Sequence, residues 1–122
     1  MVINQDQLRI WIAALRSGQY QQTNGSLNND QGYCCLGVAC KVLIPADKLV
    51  LNNGGFIYGA YPDEQPEAPQ WLKNINDDFM IHGKHFRSLA NLNDSKTFTF
   101  AQIADELEKT YLPNDTPTTT NT

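Results

Sequence analysis

The stretch YCCLGVACKVLI, residues 33–44, is the least polar part of the chain, and its conformation decides how the rest is arranged. It ends before Pro45, a residue that disfavours helix at the position preceding it. We predict a buried helix over residues 35–43 because apolar residues keep helical spacing there. These residues are Leu36, Ala39, Val42 and Leu43. A buried strand is the alternative, favoured by the β-branched residues Val38, Val42 and Ile44.

On the N-terminal side of this stretch, the sequence predicts an amphipathic helix over residues 5–17. Either Asn4, with Gln7 three residues later, or Asp6 can accept the N–H groups of the first turn, and Gly18 is suited to end the helix. One face carries the apolar spacing i, i+3, i+4, i+7, at Leu8, Trp11, Ile12 and Leu15.

The closing part of the chain predicts a second amphipathic helix over residues 100–111. Thr99 and Gln102 have the spacing of a capping box. The apolar stripe consists of Phe100, Ile103, Ala104 and Leu107. Residues 113–122 are Thr, Asn, Pro and Asp, which bury too little surface to offset ordering, so we expect a flexible polar tail.

The remaining segments favour short strands and turns. Residues 19–32 predict a small hairpin or irregular loop with a strand near 26–27, and residues 49–61 predict a hairpin around the NNGG turn. Residues 70–75 predict one helical turn that presents Trp71 to the core, and residues 77–92 a strand followed by a short helix at 88–92. We therefore expect a single α+β domain over residues 1–112, with about three helices packed on a small antiparallel sheet.

Polarity in this chain comes from amides more than from charges. Asp, Glu, Lys and Arg make up 18% of the 122 residues and the net charge is -4, whereas Asn and Gln supply 21 positions. Nucleic-acid phosphates call for a basic surface, so the composition argues against a nucleic-acid binder. No signal peptide and no apolar run of roughly 20 residues is present, so we expect no membrane association. Three cysteines, two of them adjacent, suit a reducing compartment, so we expect a cytoplasmic protein.

Three segments together resemble a family of small, mostly uncharacterised phage and prophage proteins. They are WIAALRSGQYQQ at residues 11–22, GYCCLGVACKVL with its YCCLGV box at 32–43, and SLANLNDSKTFTFAQIADELE at 88–108. The resemblance implies a viral accessory protein of the host-cell cytoplasm and brings no established activity or catalytic residue. The family pattern often has a second aspartate after LND, where this chain has Ser95 and Lys96. No role for an acidic pair is therefore carried over.

Two polar clusters lie just beyond predicted helices, one after the N-terminal helix and one before the C-terminal helix. We hypothesise that they meet and bind a small polar ligand through amide, carboxylate and other polar groups. A structural role is the alternative, since Asn and Asp before a helix often bind the backbone of the preceding turn. The predicted ligand-binding residues are Arg16, Tyr20, Gln22, Asn91, Asn93 and Asp94.

A cysteine-dependent hydrolase or transferase is the alternative function. Cys34 and Cys35 lie at the predicted start of a helix, where the dipole stabilises a thiolate, and His82 and His85 follow later in the chain. The glycine and tryptophan context of papain-type cysteines is absent, and free cysteines are among the most buried residues. We therefore assign no catalytic residue and favour a non-enzymatic protein.

No metal site or cofactor is predicted. Adjacent cysteines suit one tetrahedral ion poorly, Cys40 adds no C-x-x-C pair, and the histidines form no H-x-x-x-H pair. Most aromatic residues fit a core, whereas Tyr58 and Tyr61 in the glycine-rich hairpin are available to a partner.

The function hypothesis is a phage-type accessory protein that acts as a binding module for a host protein or a small signalling molecule and antagonises host defence. A structural component of the virion is a third alternative, with no positive feature beyond the resemblance. The sequence leaves the oligomeric state open, a homo-oligomer included.

Overall fold

A computed structural model describes residues 2–78, 80–81, 84–85, 93 and 98–112 of the chain. The helices in this part are α1 (Gln5–Arg16), α2 (Cys35–Leu43), α3 (Gln70–Asp78) and α4 (Phe100–Tyr111), and 3-10 turns span Ala46–Lys48 and Pro62–Glu64. The strands form two antiparallel pairs, β1 (Asn28–Asn29) with β2 (Gly32–Tyr33), and β3 (Met80–Ile81) with β4 (Lys84–His85). The predicted α+β class is confirmed. No helix among the described residues is long and apolar enough to cross a membrane.

α1 begins at the predicted residue and ends within one residue of the predicted end. The side chain of Asn4 accepts a hydrogen bond from the backbone N–H of Gln7 at 3.0 Å, and Gly18 follows the last turn with φ of +77°. Asn4 thus satisfies one of the N–H groups that a helix leaves without partners at its start, and the N–H and hydroxyl of Ser17 bond the carbonyl oxygen of Ala14 at its end. The predicted apolar face is buried along its whole length, at Leu8, Trp11, Ile12 and Leu15.

α2 spans the residues predicted for it and lies at the centre of the molecule. Residues 34–40 are all buried, which explains why the helix is apolar on nearly every side. Val42 and Leu43, predicted in the core, are only half-buried, because the last turn of α2 reaches the surface. Burial resumes at Ile44, just beyond the helix.

α4 begins at the predicted capping box and packs against α1. Thr99 Oγ1 accepts the backbone N–H of Gln102 at 3.2 Å, and Gln102 Oε1 accepts the backbone N–H of Thr99 at 2.9 Å. Arg16 at the end of α1 forms ion pairs with Asp105 at 2.7 Å and Glu108 at 3.0 Å. The apolar faces of the two helices are therefore accompanied by an ionic contact at the surface.

Two tryptophans connect α1 to α2 and α3. Trp11 is fully buried, and its indole N–H donates to the carbonyl oxygen of Cys35 at 2.9 Å. Trp71, the predicted anchor of α3, is buried and donates to Oε1 of Gln7 at 2.9 Å. The two ring centroids are 6.1 Å apart. Both indole N–H groups thus have partners, as burial of tryptophan requires.

α3 is longer than the helical turn predicted over residues 70–75. It continues to Asp78 over nine residues, and Asn76 is only 3% exposed although its side chain is polar. The burial of a polar residue at this position is not indicated by the local sequence pattern.

The strands are shorter than the predicted hairpins. β1 starts at Asn28 rather than near residues 26–27, and the predicted hairpin at 49–61 contains one antiparallel bridge, between Leu51 and Ile57. The fully buried amide of Gln65 also holds this segment by bonding backbone groups of Val50 and Tyr58. The predicted helix at 88–92 and tail at 113–122 lie outside the described residues.

Candidate ligand-binding cleft

A cleft of about 390 Å³ lies between the loop after α1, the β1–β2 turn and the residues that precede α4. Its volume is at the lower end of the range of small-molecule sites. Apart from Phe98, the described lining side chains are neutral hydrogen-bonding groups, so we call it the polar cleft. It is lined by Gln22, Thr23, Asn24, Gln31, Asn93, Phe98 and Thr99.

Asn93 joins separate parts of the chain at the polar cleft. Its Oδ1 accepts hydrogen bonds from Nε2 of Gln22 at 2.9 Å and from the backbone N–H of Cys35 at 3.1 Å. Its Nδ2 donates to the carbonyl oxygen of Thr23 at 2.8 Å. The residue is 2% exposed. A buried amide with its donor and acceptor engaged fixes the geometry of its neighbours.

The side chain of Gln22 has a defined orientation. Its Nε2 donates to Oδ1 of Asn93 and, at 3.0 Å, to the carbonyl oxygen of Phe98. An amide nitrogen carries two hydrogens, and these two bonds use both. The remaining atom, Oε1, has no partner within the described part of the chain and is an acceptor.

Backbone pairing with Tyr33 holds the loop that carries Gln22. The N–H of Tyr33 donates to the carbonyl oxygen of Gln21 at 2.8 Å, and its carbonyl oxygen accepts the N–H of Thr23 at 2.8 Å. The ring of Tyr33 meets the ring of Tyr20 edge-to-face, with centroids 5.2 Å apart. This wall of the cleft is therefore built by β2 rather than by the loop alone.

Three further side chains of the polar cleft are available to a ligand. The hydroxyl of Thr23 and the side-chain amides of Asn24 and Gln31 make no hydrogen bond to any described residue. Together with Gln22 Oε1 they present donors and acceptors side by side. No charged residue is among the described lining residues.

Comparison with known proteins identifies the family of the chain. The sequence profile of a family described as a domain of unknown function, DUF8296, matches residues 3–111. The chain belongs to this family. The matched part of the DUF8296 protein contains all four described helices and every described residue that lines the polar cleft. Searches of the curated proteins and of the solved structures found no match.

The structure brings together two of the predicted ligand-binding residues of this DUF8296 chain. Gln22 and Asn93 are hydrogen-bonded to each other and line the polar cleft. Tyr20 is not a lining residue and contacts the adjacent wall through Tyr33. Asn91 and Asp94 lie outside the described residues.

Arg16, also predicted to bind ligand, is engaged with α4. Its guanidinium donates two hydrogen bonds to Glu108 and one to Asp105. The hydrogen bonds that Arg16 donates to Glu108, with a further contribution from Asp105, raise the pKa of Arg16 above its usual value, although burial acts in the opposite direction. Its charge is therefore committed to the contact between α1 and α4 and does not line the described part of the polar cleft.

Sequence reasoning did not assign the other lining residues to the site, because polar residues in loops, turns and helix caps are expected without a ligand. Asn24 precedes Gly25 in the loop after α1, and Gln31 lies in the turn between β1 and β2; polar residues are expected in both places without any functional reason. Thr99 was assigned to the cap of α4, which it does form. The sequence does show many amide side chains around the loop after α1, but it does not indicate which of them lie close together in the fold.

The cysteines are buried in the core. Cys34, Cys35 and Cys40 are 3%, 0% and 0% exposed, and the sulfur of Cys34 accepts the backbone N–H of Gly37 at 3.3 Å as the N-cap of α2. Burial raises the pKa of Cys40 to about 12.

The side chains of the two histidines that the alternative function requires lie outside the described part of the chain. His82 and the side chain of His85 are beyond what the structure describes, so the pairing of a thiol with imidazole stays a prediction. Within the described residues, no group of three His, Cys, Asp or Glu side chains is arranged to hold a metal ion.

Proposed function

We propose that the protein is a non-enzymatic binding module that holds a small polar ligand in the polar cleft. The observation that carries the proposal is the arrangement around Gln22 and Asn93. One buried amide, Asn93, orients a second, and unengaged polar side chains surround the pair. Sites for small molecules combine a concave shape with a few fixed polar groups, and the polar cleft has these features.

The chemistry of the cleft supports binding rather than catalysis. Its described lining residues contain no thiol, imidazole or carboxylate, which are the common nucleophiles and general bases. The buried position of Cys34 and Cys35 and the use of the Cys34 sulfur as a helix cap support a structural role for these thiols.

The biological setting rests on the sequence resemblance. Three segments resemble phage and prophage proteins, and they include the loop with Gln22 and the LND segment with Asn93. We infer a phage-type accessory protein that works in the host-cell cytoplasm and sequesters a small signalling molecule to blunt host defence. A host protein is the alternative partner.

Native mass spectrometry of the protein purified from infected or defence-active host cells tests the proposal. We expect a defined mass increment that is released as an intact small molecule on denaturation. The double variant Asn24→Ala/Gln31→Ala should lose the increment because it removes two unengaged amides of the cleft.

A matched control uses amides outside the polar cleft. Gln19 is an exposed loop glutamine, and Asn53 is an exposed turn asparagine that precedes glycine in the sequence, as Asn24 does. The variant Gln19→Ala/Asn53→Ala should keep the increment. A bare chain from defence-active cells, or equal retention by both double variants, overturns the proposal and shifts the weight to a protein partner or the cysteine chemistry.

A further inference from the structure

We propose that the ligand of the polar cleft is an uncharged planar heterocycle with N–H donors and ring acceptors on one edge, as in the base of a nucleoside. This inference rests on the proposed function and names the chemical class of its ligand. Four features of the cleft carry it: a fixed acceptor, neighbouring free amides, the absence of charge in the described lining, and an aromatic residue.

The fixed acceptor is Oε1 of Gln22. Because Asn93 and the carbonyl oxygen of Phe98 take both Nε2 hydrogens, the amide cannot turn its nitrogen toward the cleft without breaking two bonds. A ligand at this point must therefore supply an N–H or O–H donor. A carboxylate or phosphate oxygen there would oppose the amide oxygen.

The free amides of Asn24 and Gln31 each offer a donor and an acceptor in one plane. Amide side chains of this kind pair in a bidentate manner with base edges that carry a donor beside an acceptor. The hydroxyl of Thr23 donates or accepts as the partner requires. A heterocyclic edge satisfies such a set more completely than a purely donating or purely accepting group does.

The electrostatics of the polar cleft favour a neutral ligand. No lysine, arginine or histidine is among its described lining residues. The nearby N-terminus of α2 is not free to bind an anion, since the N–H of Cys35 is bonded to Asn93 and that of Gly37 to the sulfur of Cys34. The described part of the cleft therefore recognises the base of a nucleotide rather than its phosphate.

Phe98 adds an apolar contact to this polar lining. The residue is half-buried, packs against the core and lines the cleft. Aromatic rings bind flat heterocycles through stacking or edge contacts that every base offers. A flexible polyol has no flat face to use in the same way.

Calorimetric titration of the purified full-length protein with adenosine, guanosine, cytidine and uridine tests the inference, with methyl glucoside and inorganic phosphate as comparison probes. We expect at least one nucleoside to saturate at one site per chain and the comparison probes to show no saturation. Asn24→Ala and Gln31→Ala should each weaken that nucleoside by about 3- to 10-fold, the effect of one neutral hydrogen bond. Gln19→Ala and Asn53→Ala should leave the affinity unchanged.

Phe98→Leu supplies a second readout, with an expected loss of about fivefold or more from the aromatic contact. Its thermal unfolding is compared first, since Phe98 also packs on the core. Failure of all four nucleosides to saturate overturns the inference, whether or not methyl glucoside or phosphate binds, as does nucleoside binding that neither cleft amide variant alters.

The two proposals fail separately. An intact mass increment that depends on Asn24 and Gln31 but is a sugar, an acid or another molecule without a heterocycle leaves the binding function in place and overturns the heterocycle. A bare chain in the mass spectrum overturns the binding function itself.

Discussion

Oδ1 of Asn93 lies 2.9 Å from Nε2 of Gln22, although the two residues are 71 positions apart. The same oxygen accepts the first backbone N–H of α2, that of Cys35, at 3.1 Å. The polar cleft and the start of the central helix thus share one buried acceptor. Any change at Asn93 affects both at once.

Asn93→Ala should destabilise the fold by about 3 kcal/mol. The substitution removes the partner of the buried N–H of Cys35 and of the part-buried carbonyl oxygen of Thr23. Loss of a buried partner costs about 1–3 kcal/mol, and the part-buried carbonyl adds less because water can reach it. Urea unfolding followed by circular dichroism measures the change. Asn53→Ala in an exposed turn is the control and should shift stability by less than about 0.5 kcal/mol. Equal stability of the two variants would show that the hydrogen bonds of Asn93 do not stabilise the fold.

Cys40 should make stability fall with rising pH in the alkaline range. Burial raises the pKa of its thiol from 9.0 to about 12 in the folded protein, with a further increase from Cys34 and an opposing effect of Lys73. Below pH 9.0 the thiol is protonated in both states and contributes no pH dependence. Between 9.0 and about 12 the unfolded chain releases the proton while the folded protein keeps it, so unfolding becomes easier.

The comparison of the wild type with Cys40→Ala isolates this effect. Ionisable groups common to both proteins contribute to both stability curves, so the difference between the curves reports Cys40 together with its interaction with Cys34. We expect the stability difference to be constant below pH 9.0 and to shrink above it as the wild type loses the contribution of its protonated thiol. Parallel curves up to the highest pH at which both proteins fold would contradict the assigned burial.

The three thiols should be inert to alkylation in the folded protein. Cys34, Cys35 and Cys40 are all buried, so iodoacetamide reaches them only through unfolding. Mass spectrometry of the labelled chain near neutral pH should show one common slow rate that rises with added urea. Rapid labelling of Cys34 or Cys35 alone in the native protein would instead favour the cysteine-dependent chemistry.

The local signals in the sequence were sufficient for three helices. Asn4 lies at the start of α1 and Gly18 just after its end, Thr99 caps α4, and Pro45 follows α2. Each of these residues affects a helix end that lies within a few residues of it in the sequence. Which side of α2 is buried was harder to predict, because its sequence is apolar on nearly every side. The pattern therefore did not separate buried Val38 from half-buried Val42.

The candidate site was predictable only in part. Gln22 and Asn93 follow and precede predicted helices, and that position favoured a shared polar site. The contribution of Gln31 depends on the antiparallel pairing of β1 with β2, and that of Thr23 on the backbone of Tyr33. These pairings arise from tertiary packing of two-residue strands, which carry almost no periodic signal.

Arg16→Ala should cost about 1 kcal/mol at low salt, and less in 1 M salt. The guanidinium is about one third exposed, and its partner Asp105 is more exposed still, so solvent and ions screen the pairs. Lys109→Ala is the control, since its 3.9 Å pair with Glu106 is local to α4. Native mass spectrometry of Arg16→Ala should show an unchanged ligand increment, whereas loss of the increment would place Arg16 in the binding site.

Gly37→Ala should destabilise the protein. This is opposite to the usual effect in a helix, where alanine is more favourable than glycine by up to about 1 kcal/mol. A Cβ at this position would overlap the carbonyl oxygen of Leu27, which accepts the N–H of Cys34 at 3.1 Å. The backbone must shift to relieve the overlap, and overpacking of this kind costs about 1–3 kcal/mol.

Thermal and urea unfolding measure the sign of this change. Ala13→Gly on the exposed face of α1 serves as the reference for helix preference alone and should cost about 0.5–1 kcal/mol. If both Gly37→Ala and Ala13→Gly lower stability, the overlap with Leu27 costs more at position 37 than the helix preference for alanine gains. This result would explain why a glycine occupies the position. A rise in stability for Gly37→Ala would mean that α2 and Leu27 are further apart in solution than this fold places them.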